Sequence, residues 1–328
     1  MSGAPLAAPG RKRLVLPGAV LDAGGRLLAV LLLGAALALA SDAFLTTGNI
    51  VNVLRQTSLL FFLASGLTLV VITAGLDLSV GANIALSACL AGSVMKATGS
   101  PLLGSCVGLG TGALVGLLNG LMVSLVRIPS FIATYGMLWV LQGVAYAAMG
   151  GEAVYGFPRG FREIGIGRVL GVPVPVLVML ALLALGTVFT RRTIWGQQVY
   201  AIGANAEAAR LSGVPVRRRL ILVYVGSGLA VGFASLVFLA RLNSAEADIG
   251  DTLTLPAIAS VLIGGTSLFG GVGSLFGSFT GALLLTLVLN GMNLLEVNAN
   301  WQPLVTGLIV ILAVWLDLRT RRHGLTRA

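Results

Sequence analysis

The string Gly75-Leu76-Asp77-Leu78-Ser79-Val80-Gly81 puts a carboxylate and a hydroxyl two residues apart, between two apolar runs. Gly75 can end one helix, and Asp77 or Ser79 can cap the next by accepting its free N–H groups. The same pair, with Asn83 close behind, can also meet a polyhydroxylated solute as part of a path or gate. A second polar string, Gly264-Gly265-Thr266-Ser267, brings the hydroxyls of Thr266 and Ser267 to a place where an apolar run dissolves into glycines. Membranes tolerate a broken helix where its backbone lines a cavity or is buried in protein. These residues are therefore the second candidate for the solute path.

The third informative segment is polar and spans 191–219. Asn205 is a good N-cap, Ala206 to Ser212 favour helix, and Glu207 and Arg210 suit the positive and negative helix ends respectively. Gly213 can close the helix in a left-handed conformation, and Pro215 prevents it from resuming. The expected product is a short capped helix presenting Asn205, Glu207, Ala208, Arg210, Leu211, Ser212 and Gly213. About two turns are marginal alone, so this helix packs against something. Lipid head groups and a cytoplasmic partner are the two choices.

Other chemistry is missing. The sole histidine is His323 and the sole lysines are Lys12 and Lys96, neither in a Walker A context. No zinc cluster, histidine-based triad or GxSxG elbow can be assembled. Cys89 and Cys106 lie in apolar runs and read as small buried hydrophobes. The chain is expected to bind no metal or cofactor, and if ATP drives its work another subunit must hold it.

The elements that position these residues follow from composition. Of 328 residues, 57% are apolar and 10% charged, against roughly 45–50% and 25% in soluble domains. The mean hydropathy is +0.99. The expected fold is all-α and polytopic, with about ten transmembrane helices, some short or broken. The runs lie at 27–45, 52–74, 80–97, 102–126, 130–149, 174–190, 219–240, 254–269, 273–294 and 303–318. Basic tails at 1–26 and 319–328 then flank a membrane domain at 27–318. The net charge is +10, but the basic residues sit between hydrophobic runs, which argues against nucleic acid. Placing both termini in the cytoplasm puts 15 of the 21 basic residues inside, as the positive-inside rule asks. Ala38-Leu39-Ala40 has the look of a signal-cleavage site, yet apolar character resumes at Phe44 and Leu45, so the first run reads as a retained span. Glycines at 108, 112, 116 and 120, and at 273, 277 and 281, recur every four residues and predict close helix packing seams.

GLDLSVG at 75–81, RIPSFIAT at 127–134, GANAEAARLSGV at 203–214 and IGGTSLFGG at 263–271 together resemble the permease subunits of bacterial ATP-binding-cassette importers of the ribose type. The resemblance covers about residues 44–318. It implies an inner-membrane permease dimer, paired with itself or a sibling. Two cytoplasmic ATPase subunits would hold ATP and magnesium, and a periplasmic sugar-binding protein would deliver the solute. The segment from Asn205 to Gly213 is then similar to the element that fits a groove on the ATPase. Asp77, Ser79, Thr266 and Ser267 fall on residues of the family's motifs. The chain departs from ribose members at 246–256, EADIGDTLTLP, a segment expected near the outer mouth, with Glu246, Asp248 and Asp251 available to a docking protein. The competing reading is a secondary transporter or facilitator that acts without an ATPase.

Overall fold

The computed structural model describes residues 18–325. Helix α1 (Gly18–Ala40) leads into α2 (Thr47–Ile72), α3 (Val80–Thr98) and α4 (Pro101–Leu121), and a π-helical turn over Met122–Val126 prolongs α4. After α5 (Ser130–Met149) the chain forms β1 (Val154–Tyr155), the short α6 (Arg159–Ile166), β2 (Arg168–Val169) and β3 (Val172–Pro173). Then come α7 (Val174–Arg192), α8 (Ile194–Ala204), α9 (Ala206–Leu211), α10 (Val216–Leu242) and β4 (Ser244–Ala245). Helices α11 (Thr254–Ile263), α12 (Leu275–Leu294) and α13 (Gln302–Leu325) complete the fold. The strands form two antiparallel two-residue ladders, β1 with β4 and β2 with β3.

Among the described residues, seven helices are long and apolar enough to cross a membrane. They are α2, α3, α4 with its π-helical turn, α5, α7, α10 and α12. The other three expected spans correspond to shorter apolar stretches at Gly24–Ala40, Thr254–Ile263 and Ala299–Trp315. Helix α1 begins at Gly18, so residues 18–26, read as tail from their charge, are helical, and α13 likewise runs on to Leu325. A polar helix end is invisible to a reading that tracks only apolar runs. The first 17 residues and the last three, with the rest of the expected tails, lie outside the described residues.

Helix α2 is the hub. From Thr57 to Ile72 nearly every side chain is buried, and α10, α11, α12 and α7 surround it. Phe61 meets Phe279 edge-on at 6.0 Å and Phe62 meets Phe233 at 5.1 Å, a favoured aromatic geometry. Most buried hydroxyls on α2 are satisfied locally or across helices: Ser65 donates to Phe62 O, and Thr68 shares a 2.6 Å bond with Ser278, while Thr57 has no partner.

The closest pairing is α4 against α10. A Cβ added at Gly112 or Gly116 would collide with the carbonyl oxygens of Gly228 or Tyr224, so only glycine permits this separation. Gly277 and Gly281 do the same for α12 against Gly264 and Ser260. Gly273 does not belong to that seam. It precedes Ser274, the N-cap of α12, with φ +157°.

Helices α4 and α12 also share sequence. Thr111-Gly112-Ala113-Leu114 recurs as Thr280-Gly281-Ala282-Leu283, and each is followed by an Asn-Gly pair, Asn119-Gly120 and Asn290-Gly291. Both asparagines are buried and both reach another helix.

Candidate functional site

The link between α2 and α3 forms because Ala74 turns left-handed, φ +60°, after Thr73 closes the helix with its N–H on Leu69 O and Val70 O. Gly75 is required by crowding, since a Cβ there would sit 2.8 Å from the Tyr224 hydroxyl. Asp77 is buried, and its Oδ1 accepts from the Ser79 N–H at 2.9 Å and from the Ser79 hydroxyl at 2.6 Å. Ser79 occupies the N-cap position of α3 without a side-chain cap bond. Its Oγ instead accepts from Asn119 Nδ2 at 2.8 Å. Asn83, one turn on, accepts from the Ser87 hydroxyl. The extended backbone is held from α5: Thr134 Oγ1 accepts from Leu78 N–H and donates to Leu76 O, and Ser130 Oγ accepts from Leu76 N–H. Asp77, Ser79 and Asn119 thus form one buried polar cluster between α2, α3 and α4, and Asn83 lies a turn further along α3, bonded within that helix. Gly81 N–H, just beyond, donates to Thr254 Oγ1 at the start of α11.

The apolar run of the eighth expected span stops at Ile263, and residues 264–274 form a glycine-rich loop. Gly265, Gly270 and Gly271 have φ between +75° and +79°, a conformation L side chains rarely adopt. Thr266 is buried, its hydroxyl unpartnered. Ser267 Oγ donates to Asp317 on α13 at 2.8 Å. The loop reaches back to the first string, since Gly271 N–H donates to Ile72 O at 2.9 Å, and Gly270 packs against Ala74. Two strings about 190 residues apart in sequence are therefore neighbours.

The segment between α7 and α10 holds more helix than its sequence suggested. Residues 194–204, read as loop, form α8. Thr193 caps it, accepting from Gly196 N–H. Arg219 from α10 lies 3.9 Å over the Trp195 ring and donates to Gln198. Helix α9 follows as expected: Asn205 Oδ1 accepts from Glu207 N–H at 3.0 Å and Ala208 N–H at 2.9 Å. Gly213 is left-handed at φ +85°. Glu207 and Arg210 form a two-pronged ion pair, 2.6 and 2.9 Å, on the exposed face, and the arginine holds the Glu207 carboxyl below its usual pKa range. Leu211 is 73% exposed, whereas Ala209 is buried beneath. The surface therefore presents Glu207, Arg210 and Leu211 together.

Helix α8 joins this surface to the two strings. Gly203 packs on Ile72 O and Gly271 N, where any side chain would collide. Tyr200 Oη donates to Gly273 O at 2.9 Å, and burial pushes its phenol pKa up, keeping it a donor. Tyr200 and Gly203 were missed by sequence reading; the signal was the largely apolar run Ile194–Ala204 inside a segment read as a polar loop.

A cavity of about 740 Å³ lies elsewhere, between the first half of α2, the end of α10, the segment entering α11, the second half of α12, and the stretch from the 3-10 turn at Ala299–Trp301 into α13. None of Asp77, Ser79, Asn83, Thr266 or Ser267 lines it. Asp251 in its wall accepts from Gln142 Nε2 at 3.0 Å. Partial burial and then the charge of Asp248 raise the Asp251 pKa.

Comparison with known proteins decides the family. Residues 49–314 match the family described as branched-chain amino acid transport system / permease component. The chain belongs to this permease family. The permease is 39% identical over 295 residues to the ribose import permease RbsC of Escherichia coli (strain K12), covering 89% of this chain and 92% of the relative. It is 36% identical to RbsC of Bacillus subtilis (strain 168) over 309 residues, 94% and 96% of the two chains. It is also 36% identical to the D-allose transport permease AlsC of E. coli K12 over 280 residues, 85% and 86% of the chains. No solved structure gives a significant match. The permease is thus a multi-pass membrane transport subunit rather than an enzyme.

Proposed function

We propose that this permease is the membrane subunit of an ATP-binding-cassette importer that carries a monosaccharide into the cytoplasm by alternating access. The observation that carries the reading is the similarity, over some nine-tenths of the chain, to permeases named for ribose import. D-allose and xylose transport permeases among the relatives extend the solute class to monosaccharides in general. The basic-residue balance supports ten spans with both termini in the cytoplasm of a bacterial inner membrane, which places α8 and α9 inside and the cavity at the outer side. Asn205, Glu207, Ala208, Arg210, Leu211, Ser212 and Gly213 form the docking element for a separate ATPase, which holds ATP and magnesium. A second permease copy or sibling completes the membrane dimer, and a periplasmic sugar-binding protein supplies solute.

In this mechanism the ATPase moves α9, and α8 passes the movement on through Gly203 and Tyr200 to the 264–274 loop and the end of α2. Asp77, Ser79, Asn83, Thr266 and Ser267 then act as a gate. Asp77 is bonded to Ser79, Ser79 to Asn119 and Ser267 to Asp317, Asn83 accepts from Ser87, and the Thr266 hydroxyl is left free, which suits a hinge that switches between two arrangements. Gentle purification from native membranes tests the reading. A Walker-motif ATPase should accompany the permease and be lost with Glu207→Ala/Arg210→Ala. Uptake by the chain alone in liposomes, driven by an ion gradient or passive, overturns it in favour of a secondary transporter.

A further inference from the structure

The cavity at the Arg241 end of α10 has no counterpart in the motifs that marked the gate, and its composition is specific. Five planar polar side chains ring it: Gln56, Arg241, Asp251, Asn300 and Gln302, with the apolar Leu59, Phe238 and Leu289 as its floor. Two further groups point to a ligand. Thr286 and Thr306 line the wall with 2% and 4% of their surfaces exposed, and their hydroxyls bond to nothing among the described residues. Both hydroxyls are thus free to bond to whatever fills the cavity. Gln302 Nε2 is tied to Asn293 at 2.8 Å, which leaves its carbonyl oxygen to the cavity, and Asp251 has only Oδ1 engaged.

A neutral polyol needs donors and acceptors alternating around its rim and an apolar surface under its ring. Amides supply both kinds of group, the carboxylate accepts, the guanidinium donates and the threonines do either. A phospholipid head would instead want clustered cations, and the Asp251 carboxylate repels phosphate. The volume of about 740 Å³ lies in the range of small-molecule sites, about 300–1,000 Å³, and leaves room for water around a pyranose or furanose ring. Part of the wall, Asp251 to Pro256, comes from the segment in which this chain departs from the ribose-type pattern.

Resting on the importer reading, we propose that this cavity is a sugar subsite, an entry vestibule, in which Gln56, Asp251, Thr306 and Gln302 hold a monosaccharide after the binding protein releases it. Its wall at Asp251 and Thr252 acts as a second filter on which sugar enters. Binding is weak by construction, since most of its polar groups are partly solvated and no aromatic ring is stacked on both faces.

The test uses the whole complex with a single reporter thiol. Cys89 is buried and Cys106 exposed, so Cys106→Ser supplies a quiet background. Thr252→Cys then places a thiol in the cavity wall, and Leu170→Cys, on a fully exposed loop residue, is the control. Modification by a membrane-impermeant maleimide is timed with a panel of aldopentoses and hexoses, beginning with D-ribose, D-allose and D-xylose. A bound sugar should slow Thr252→Cys about tenfold at about ten times its dissociation constant and leave Leu170→Cys unchanged. Gln302→Ala should raise the KM of uptake about fivefold. Leu255→Cys, also in the wall, replaces Thr252→Cys if the latter does not assemble.

Unchanged labelling with every sugar overturns the proposal. So does protection by L-leucine instead, which would pair its carboxylate with Arg241 and its ammonium with Asp251, or by added phospholipid. Recovery of the ATPase in the same preparation separates the two claims, because a sugar can protect the thiol whatever energises transport.

Discussion

Replacing Gly112 by alanine tests whether the α4–α10 seam is set by backbone contact. The new Cβ would collide with Gly228 O and lie 2.8 Å from Gly232 Cα and N, all main-chain atoms that cannot turn aside. The two helices must part, losing contacts along the most extensive pairing in the protein. Such overpacking costs about 1–3 kcal/mol. At about 2–4 °C per kcal/mol for a domain of this size, Tm falls by about 2–12 °C. The internal control is Gly110→Ala on the same helix, where a Cβ meets nothing within 4 Å, and where alanine's helix propensity holds Tm or raises it. In a Cys106→Ser background, the buried Cys89 thiol becomes reactive only on unfolding, so a thiol-reactive fluorophore reads Tm in detergent. Equal Tm values for Gly112→Ala and Gly110→Ala would refute the reasoning.

Three further outcomes are expected. Asn205→Ala removes the acceptor for two N–H groups and destabilises α9 by about 1 kcal/mol, so ATPase retention falls, while Asn205→Ser, which can still cap, retains it; equal retention by both sinks the claim. Thr134→Val leaves Leu78 N–H and Leu76 O without their partner and costs about 1–3 kcal/mol in the Cys89 assay, with Thr134→Ser recovering most of it. The third concerns pH. The Glu207 carboxyl, lowered by its bond to Arg210, favours the folded form above its unfolded pKa, and this contribution is lost as pH falls through the lower folded value. ATPase retention in the wild type should therefore hold at neutral pH and decline only below about pH 4, whereas Glu207→Gln should show no such step; a wild-type decline that begins near neutrality contradicts this.

Sequence showed the hydrophobic runs, the Asn205 cap and the glycine seam because each is a local property. A cap needs one side chain and two adjacent N–H groups, and a seam needs only periodicity. The break after Ile263 was legible for the same reason, in a cluster of glycines. Helix α8 was not, because Ile194–Ala204 lies outside the bilayer pattern and gains its stability from Arg219 stacked on Trp195 and from contact with Ile72 and Gly271. The neighbourhood of the Asp77 and Thr266 strings is equally non-local. The cavity could not be foreseen at all: its wall draws on five stretches, none with a motif of its own. Asn119 and Asn290 were within reach, since each is followed by a glycine downstream of a repeated Thr-Gly-Ala-Leu string.

The enclosure of α2 has a consequence for how the protein is made. Its buried Thr57, Ser58, Ser65 and Thr68 lie on a helix that packs against α10, α11 and α12, which leave the ribosome long afterwards. The end of α12 is synthesised roughly 220 residues after the end of α2, about 10–40 s at bacterial rates. Through that interval the helix that will become the most protected in the molecule has lipid, or a membrane chaperone, as its neighbour. Three of its hydroxyls bond to their own preceding turn, Ser58 to Arg55 O, Ser65 to Phe62 O and Thr68 to Ala64 O, and so α2 waits in the bilayer with Thr57 as the one of these four hydroxyls that has no bond of its own.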